Sequence, residues 1–499
     1  MTIARGTTAA AVVRGGDRPY GICGFAAIGG LTLLRLLWLS VQSAGLYPDE
    51  AQYWFWAKHP AFGYYSKPPL VAWLIALTTG AFGDSEFAVR LAAPLLHAGA
   101  AAMVFATAAR LYDRRTGFWA ALAYATLPGV SLSAFIISTD APLLLCWAVA
   151  LYAFVRAREP DGGWWWVVVG IAAGLGLLAK YAMAYWLLSA LGLVLIAPSE
   201  RRHLKGLMLA IGLAVLLYLP NLWWNWDNGF VSYLHLRDNA HVSGSLVHPA
   251  AFLEFFASQF GVFGPLFFAA LMAIATRTGR FDARARMLAV FALPTLAMML
   301  CLSFLSRAQP NWAAPTYVSA TILVTAWAVR QNWRRFLRLA IALNLAAAIL
   351  AFCATDTLAA IGVALPPKLD PLHRLRGWHE LGRQVGALLA AHPGLTLLAD
   401  DRELLAALIY YVKPHPFTAV EWNPIPGITD QWRLTNNIGL HRGEDFLLVS
   451  VHNLLDQMRP DFTALTPLTT IQPHSGPAGI SVYTVYIARN FRGDGRTPR

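Results

Sequence analysis

Long apolar stretches set the terms on which this chain can fold. A bilayer-spanning helix needs roughly 17–25 mostly apolar residues. Runs of that kind lie at 20–43, 87–110, 116–133, 139–156, 163–180, 182–197, 206–222, 259–276, 286–304, 312–329 and 336–355. The unbroken stretch 163–197 is too long for one span at about 1.5 Å per residue, so it is divided at Lys180–Tyr181. Soluble domains carry roughly 25% charged residues, whereas this chain carries 13% and is 57% hydrophobic. The expectation is an α-helical polytopic membrane protein of about eleven spans. The opening residues are polar and basic, with Arg5, Arg14 and Arg18, and the next apolar run is too long for a signal-peptide core. Residues 1–19 are therefore expected to be an uncleaved cytoplasmic tail.

Charge placement sets the orientation. With the N-terminus in the cytoplasm and the sides alternating, the inner segments gather most of the basic residues. These are Arg110, Arg114 and Arg115; Arg156 and Arg158; Arg201, Arg202 and Lys205; Arg277, Arg280, Arg284 and Arg286; and Arg330, Arg334, Arg335 and Arg338. The outer side keeps Lys58, Lys67, Arg90, Lys180, Arg237 and Arg307. This bias is the positive-inside pattern, and it accounts for the net charge of +12 without any nucleic-acid module. The 19 Trp and 17 Tyr suit interfacial anchoring. Cys23, Cys146, Cys301 and Cys353 all sit in apolar stretches, with no CxxC pair, and read as packing thiols.

An odd number of spans leaves residues 356–499 on the outer, periplasmic side. That tail alternates short apolar runs (Thr396–Leu398, Phe446–Val451, Ser481–Ile487) with helix-like stretches (Trp378–Ala391, Glu403–Tyr411), the pattern of a small α/β domain. The expected organisation is a membrane domain over 20–355, with long outer loops at 44–86 and 223–258, followed by a soluble domain at 356–499. Most connections are short, so two long outer loops rich in acids and aromatics place the working surface on that side.

The first outer loop holds the densest chemistry. Asp49 and Glu50 sit just past the first span, where lost hydration strengthens a carboxylate as a proton acceptor. Lys67 follows, held before Pro68 and Pro69, and a lysine there can bind phosphate as a point charge. Asp140, at the outer start of the fourth span, reads either as a helix cap or as a site residue. Arg307 precedes Gln309-Pro310-Asn311-Trp312 and reads either as an interfacial anchor or as a contact for a phosphate or an acidic sugar. His235, His241 and His248 share the fourth outer loop without metal-ligand spacing, and no HExxH occurs. Arg35 lies inside the first span and is expected either to face the bundle interior or to snorkel.

The sequence Tyr47-Pro48-Asp49-Glu50-Ala51, with Tyr53-Trp54, Gly63-Tyr64 and Lys67-Pro68-Pro69-Leu70, resembles the first periplasmic loop of the GT-C glycosyltransferases. It is most similar to the bacterial branch related to protein O-mannosyltransferases and the lipid A aminoarabinose transferase. Ser138-Thr139-Asp140-Ala141-Pro142, Leu178-Ala179-Lys180-Tyr181, Pro220-Asn221, Gln259-Phe260-Gly261, Pro310-Asn311-Trp312 and Asp430-Gln431-Trp432 fit the family in order and spacing. The resemblance implies an inverting transfer at the periplasmic face of the bacterial inner membrane, from a polyprenyl-phosphate sugar. The implied acceptor is a lipid A-type glycolipid, with a glycan or a protein as alternatives. It implies a catalytic set of Asp49, Glu50 and Asp140, with Asp49 or Glu50 as base. It also implies a substrate-binding set of Lys67, Tyr64, Tyr65, Arg90, Lys180, Arg307 and Asn311. Where the aminoarabinose transferase has a metal-associated acid before its Lys-Pro, this chain has Ser66, so no metal site is carried over. No cofactor is assigned, and a divalent metal stays open. The rival expectations are a lipid or sugar transporter and a non-catalytic scaffold. A transporter would place ionisable groups near the midplane, whereas here they crowd the outer helix ends, with Arg35 and His97 the exceptions.

Overall fold

The computed structural model describes residues 18–239, 247–306, 308–361, 370, 372–452, 454–473 and 482–493. Helices occupy all eleven of the apolar segments read from the sequence. By length and composition, six helices are long and apolar enough to cross a membrane alone, or seven with one bent pair. Helices such as Trp165–Ala179 and Met183–Ile196 are apolar but shorter. The chain is a polytopic helical membrane protein carrying a small C-terminal α/β domain.

The breaks between helices follow local chemistry. The helix Trp165–Ala179 stops where Lys180 turns extended (φ −159°, ψ 136°). At the eighth apolar run the helix Pro249–Val262 meets Pro265–Ala275 at a bend of 116°. Gly264 makes that bend at φ +84°, and a Cβ there would lie 2.4 Å from Asn344 Oδ1. A side chain is therefore excluded on two grounds. The run read as one span over 259–276 is thus the end of one helix and the whole of another, since apolar periodicity does not register a glycine-made corner. The final long helix, Arg334–Ala360, leads toward the tail.

Arg35 faces inward, where its Nη2 donates to the Ala125 carbonyl (2.6 Å) and the Ser131 hydroxyl (3.2 Å). His97 is buried, with Nε2 2.9 Å from the Ser133 hydroxyl. Both polar groups are thereby hydrogen-bonded within the bundle, as groups in an apolar medium must be.

The first long loop, 44–86, is itself helical, as Pro48–Lys58 and Leu70–Phe82. The tail folds into a five-stranded sheet of β1 (Thr396–Ala399), β2 (Val420–Glu421), β3 (Phe446–Ser450), β4 (Phe462–Ile471) and β5 (Tyr483–Phe491). The strand order is β2-β1-β3-β5-β4, with β1 parallel to β2 and β3, and β5 antiparallel to β3 and β4. Helices Trp378–Ala391 and Arg402–Tyr411 form where the sequence indicated helix.

The tail shares a hydrophobic core with the first outer loop. Trp54 packs edge-on against Tyr410 (4.9 Å between ring centroids) and Phe55 stacks on Trp432 (5.4 Å). Burying one large apolar side chain is worth about 1.5–3 kcal/mol. Several such side chains fix the loop helix against Arg402–Tyr411 and so decide which tail residues reach the loop.

Candidate active site

Asp49 and Glu50 are adjacent in sequence but lie in opposite environments. A helix turns about 100° per residue, so neighbours on Pro48–Lys58 point to different sides. Glu50 is buried against Arg90, with Arg90 Nε 2.9 Å from Oε1 and Nη2 2.6 Å from Oε2. The backbone N–H groups of Ile137 and Tyr47 donate to the same carboxylate, each at 2.8 Å. Arg90 also donates to the carbonyls of Ala44 and Gly45. This fully bonded pair ties the end of the first span to the start of the loop helix, to the segment before Asp140 and to the short helix Glu86–Arg90. Asp49 instead keeps 42% of its side-chain surface open.

Asp140 opens the helix Asp140–Ala157 but does not cap it. Its Oδ1 accepts from Lys180 Nζ (2.7 Å) and its Oδ2 from Asn311 Nδ2 (2.7 Å). Lys180 is in place because its helix ends there. Asn311 is steadied through its neighbour, since Gln259 Nε2 donates to the Pro310 carbonyl (3.3 Å) and Tyr317 donates to Gln259 Oε1 (2.6 Å). Three separated motifs thus converge on one carboxylate.

Lys67 sits on a tightly held turn. The Tyr64 N–H donates to the Lys67 carbonyl (3.1 Å), and Tyr64 stacks on Trp56 at 4.5 Å. Ser232 donates to the Tyr64 carbonyl (2.7 Å) and Asn221 to that of Phe62 (2.6 Å). At Gly63 a Cβ would lie 2.3 Å from the Trp224 ring, so the loop can approach only through glycine. The Lys67 ammonium makes no hydrogen bond or ion pair with the described residues. Burial pushes its pKa below the ordinary 10.5, and the charge of Lys180 adds to that, while Asp49 and Asp140 act the other way. A half-buried ammonium without a counter-ion is a ready receptor for an anion.

The tail contributes a residue that sequence reasoning missed. Arg402, first in its helix, places Nη1 3.1 Å from Asp49 Oδ1 and also donates to Gln52. Arg374 donates to the Tyr47 hydroxyl and pairs with Glu403, its guanidinium 4.5 Å from the Tyr47 ring centre. Gln431 Oε1 accepts from the Tyr65 N–H (2.8 Å), so the Asp430-Gln431-Trp432 motif grips the Lys67 turn from above. Tyr65 also lies 4.9 Å from the His235 ring. Burial, with Lys67 next, lowers His235 to about 4, leaving it neutral near pH 7. Arg307 and His241 lie outside the described residues. Among the described residues no group of three or more His, Cys, Asp or Glu side chains gathers as a metal site.

The chain belongs to the GT-C superfamily of membrane glycosyltransferases, as its likeness to a relative along most of both chains shows. Residues 66–224 match the family described as dolichyl-phosphate-mannose-protein mannosyltransferase. The chain is 34% identical over 393 residues to the lipid A galacturonosyltransferase RgtD of Rhizobium johnstonii, covering 78% of this chain and 82% of that protein. It is 31% identical over 198 residues to the undecaprenyl phosphate-alpha-4-amino-4-deoxy-L-arabinose arabinosyl transferase 1 of Pseudomonas fluorescens, about a third of each chain (36%). In fold it is similar to ArnT from Cupriavidus metallidurans bound to undecaprenyl phosphate, with a TM-score of 0.64 at 16% identity, over 94% of this chain and 98% of that one.

Proposed function

We propose that this glycosyltransferase moves a sugar from an undecaprenyl-phosphate carrier to lipid A, at the periplasmic face of the bacterial inner membrane. The similarity to RgtD along most of both chains supports lipid A as acceptor and an acidic hexose, of galacturonic type, as the sugar. A glycan or protein acceptor draws only on the shorter match to the mannosyltransferase family. The orientation rests on the basic residues crowding the helix ends remote from Asp49 and Asp140. A reporter fused after residue 360 is expected to read out in the periplasm, and a cytoplasmic signal would reverse the orientation.

The observation that carries the chemistry is Lys67, a cation with no bonded counter-ion among the described residues, within electrostatic reach of Asp49, Asp140, Lys180 and Arg402. Lys67 receives the donor phosphate. Asp49 takes the proton of the acceptor hydroxyl as its oxygen bonds to the anomeric carbon. The bond from that carbon to the phosphate oxygen breaks, the electron pair leaves with the polyprenyl phosphate, and the configuration inverts. Charge stabilisation of this kind is usually the largest single catalytic contribution. Asp140, held by Lys180 and Asn311, orients the sugar or the acceptor, with Tyr64 and Tyr65 beside the same turn. Glu50 and Arg90 serve as the buried brace.

The test is transfer by purified protein from labelled undecaprenyl-phosphate sugars (hexuronic acid, hexose, aminopentose) to lipid A. Label on lipid A with wild type and none with Asp49→Asn is the expected result. Full activity of Asp49→Asn would remove Asp49 as the base, and label on protein instead would move the acceptor.

A further inference from the structure

A polar cavity of about 700 Å³ opens at the end of the bundle remote from Asp49 and Asp140. The helix Ala92–Leu111 starts two residues after Arg90 and ends beside Tyr112 of this cavity. Its 20 residues put the two places about 30 Å apart. The cavity is lined by Arg115, Arg277, Arg280, Arg284 and Arg330. Two carboxylates share it, but both are engaged in capping helices. Asp113 Oδ1 accepts from the Thr116 N–H (2.7 Å) and Asp282 Oδ1 from the Ala285 N–H (2.8 Å). The one ion pair in the cavity among the described residues is Arg330 with Asp282, at 3.9 Å. Arg284 lies over the Tyr112 ring at 5.8 Å.

Arg115 is the telling residue. Its Nε and Nη2 are shut off from solvent and have no hydrogen-bond partner among the described residues. A guanidinium has no acceptor capacity and cannot lose its charge, so buried N–H groups of this kind call for an anion. The positive-inside bias explains arginines in these loops. It does not explain five of them turned into one concavity around an unsatisfied guanidinium, where like charges repel. The floor of the cavity is apolar, formed by the buried Ile274 and Leu323 beside the half-buried Val329 and Trp327. The exposed arginines stand at the ends of membrane helices, where the phosphates of lipid headgroups lie.

We propose that this cavity binds the phosphate headgroup of an anionic lipid, on the face opposite the transfer site. Arginine forks match phosphate oxygens in pairs, and basic pockets between membrane helices suit such headgroups. Arg115 is the inner contact, and the exposed Arg277 and Arg280 form the rim.

The experiment uses the full chain in nanodiscs of phosphatidylcholine doped with phosphatidylglycerol or cardiolipin, with retained lipid read by native mass spectrometry. Wild type is expected to hold anionic lipid and not phosphatidylcholine. Arg115→Gln and the double variant Arg277→Gln/Arg280→Gln should each lower retention at least tenfold. The double variant changes only exposed positions, so it decides the matter if Arg115→Gln loses its fold, as read by the melting temperature in lipid-free detergent. Equal retention of phosphatidylcholine, or a rim variant within twofold of wild type, overturns the proposal. Displacement of the lipid by inorganic phosphate at matched concentration overturns the lipid assignment and leaves a free-anion site.

Discussion

Replacing Glu50 by glutamine preserves the size of the side chain and removes its charge. Glu50 accepts from Arg90 Nε and Nη2, from the Ile137 N–H and from the Tyr47 N–H. Both partners of the ion pair are shut off from water, with side-chain exposures of 0% and 1%. In the variant one oxygen becomes an NH₂ group that faces donors, so at least one donor loses its acceptor, at about 1–3 kcal/mol. The guanidinium is left buried without its counter-charge, and removing one partner of such a pair costs about 3–5 kcal/mol in all. These contributions overlap, so we expect a total near the upper figure rather than their sum. The assay is thermal unfolding of the purified protein beside its transfer rate. Glu50→Gln should lower the melting temperature by several degrees and lose activity in proportion to lost fold, whereas Asp49→Asn should keep the wild-type melting temperature and lose transfer. In the double variant Glu50→Gln/Arg90→Met, part of the stability should return, because no charge is stranded. A Glu50→Gln protein that melts like wild type but transfers nothing would refute the bracing role and make Glu50 a candidate for the base.

Other expectations follow from the same geometry. Arg402→Gln should change stability by no more than about 1 kcal/mol, because the pair with Asp49 is half-exposed and screened; a transfer rate equal to wild type would exclude Arg402 from the site. Burial and Lys180 hold the folded pKa of Lys67 below 10.5, so its charge is lost earlier than that of an ordinary lysine as pH rises. Donor affinity should therefore fall on the alkaline side below pH 10.5, and the fall should vanish in Lys67→Arg. The stability contribution has the opposite sign. The unfolded chain binds the extra proton in the window between the lowered pKa and 10.5, so this group's contribution rises with pH across it. Gly63→Ala should push the Lys67 turn away from Trp224 and cut transfer more than tenfold, read as a drop in donor binding with every charged group still present.

The helices were legible because apolar runs of bilayer length have few alternatives, and the outer cluster because Asp49, Lys67 and Asp140 stand out among apolar neighbours. In the tail, β1, β3 and β5 coincide with apolar runs, while the two-residue β2 and the longer β4 went unread. The longer one is an edge strand whose Thr-rich residues are mostly exposed, interrupted by Pro467. The different fates of Asp49 and Glu50 were not readable from adjacency; they depend on which side of one helix meets Arg90. Arg402 was invisible for a stronger reason. It lies 353 positions from Asp49, and Asp401-Arg402-Glu403 reads locally as an ordinary charged helix start. Tertiary packing, of Trp54 on Tyr410 and Phe55 on Trp432 among others, brings it over the loop. The signal that existed was Asp430-Gln431-Trp432, a tail motif in a stretch otherwise without one.

Because Arg402 and Gln431 reach back to the loop that carries Asp49 and Lys67, this centre is finished last. A ribosome making the chain delivers the carboxylates and the lysine early, inserts span after span, and completes the surroundings of Asp49 only after the helix Arg334–Ala360 is in place and the sheet has formed. Until then the early loop waits as an open half-site. On the proposed mechanism and orientation, transfer is expected to begin only once the final third of the chain has crossed the membrane and folded.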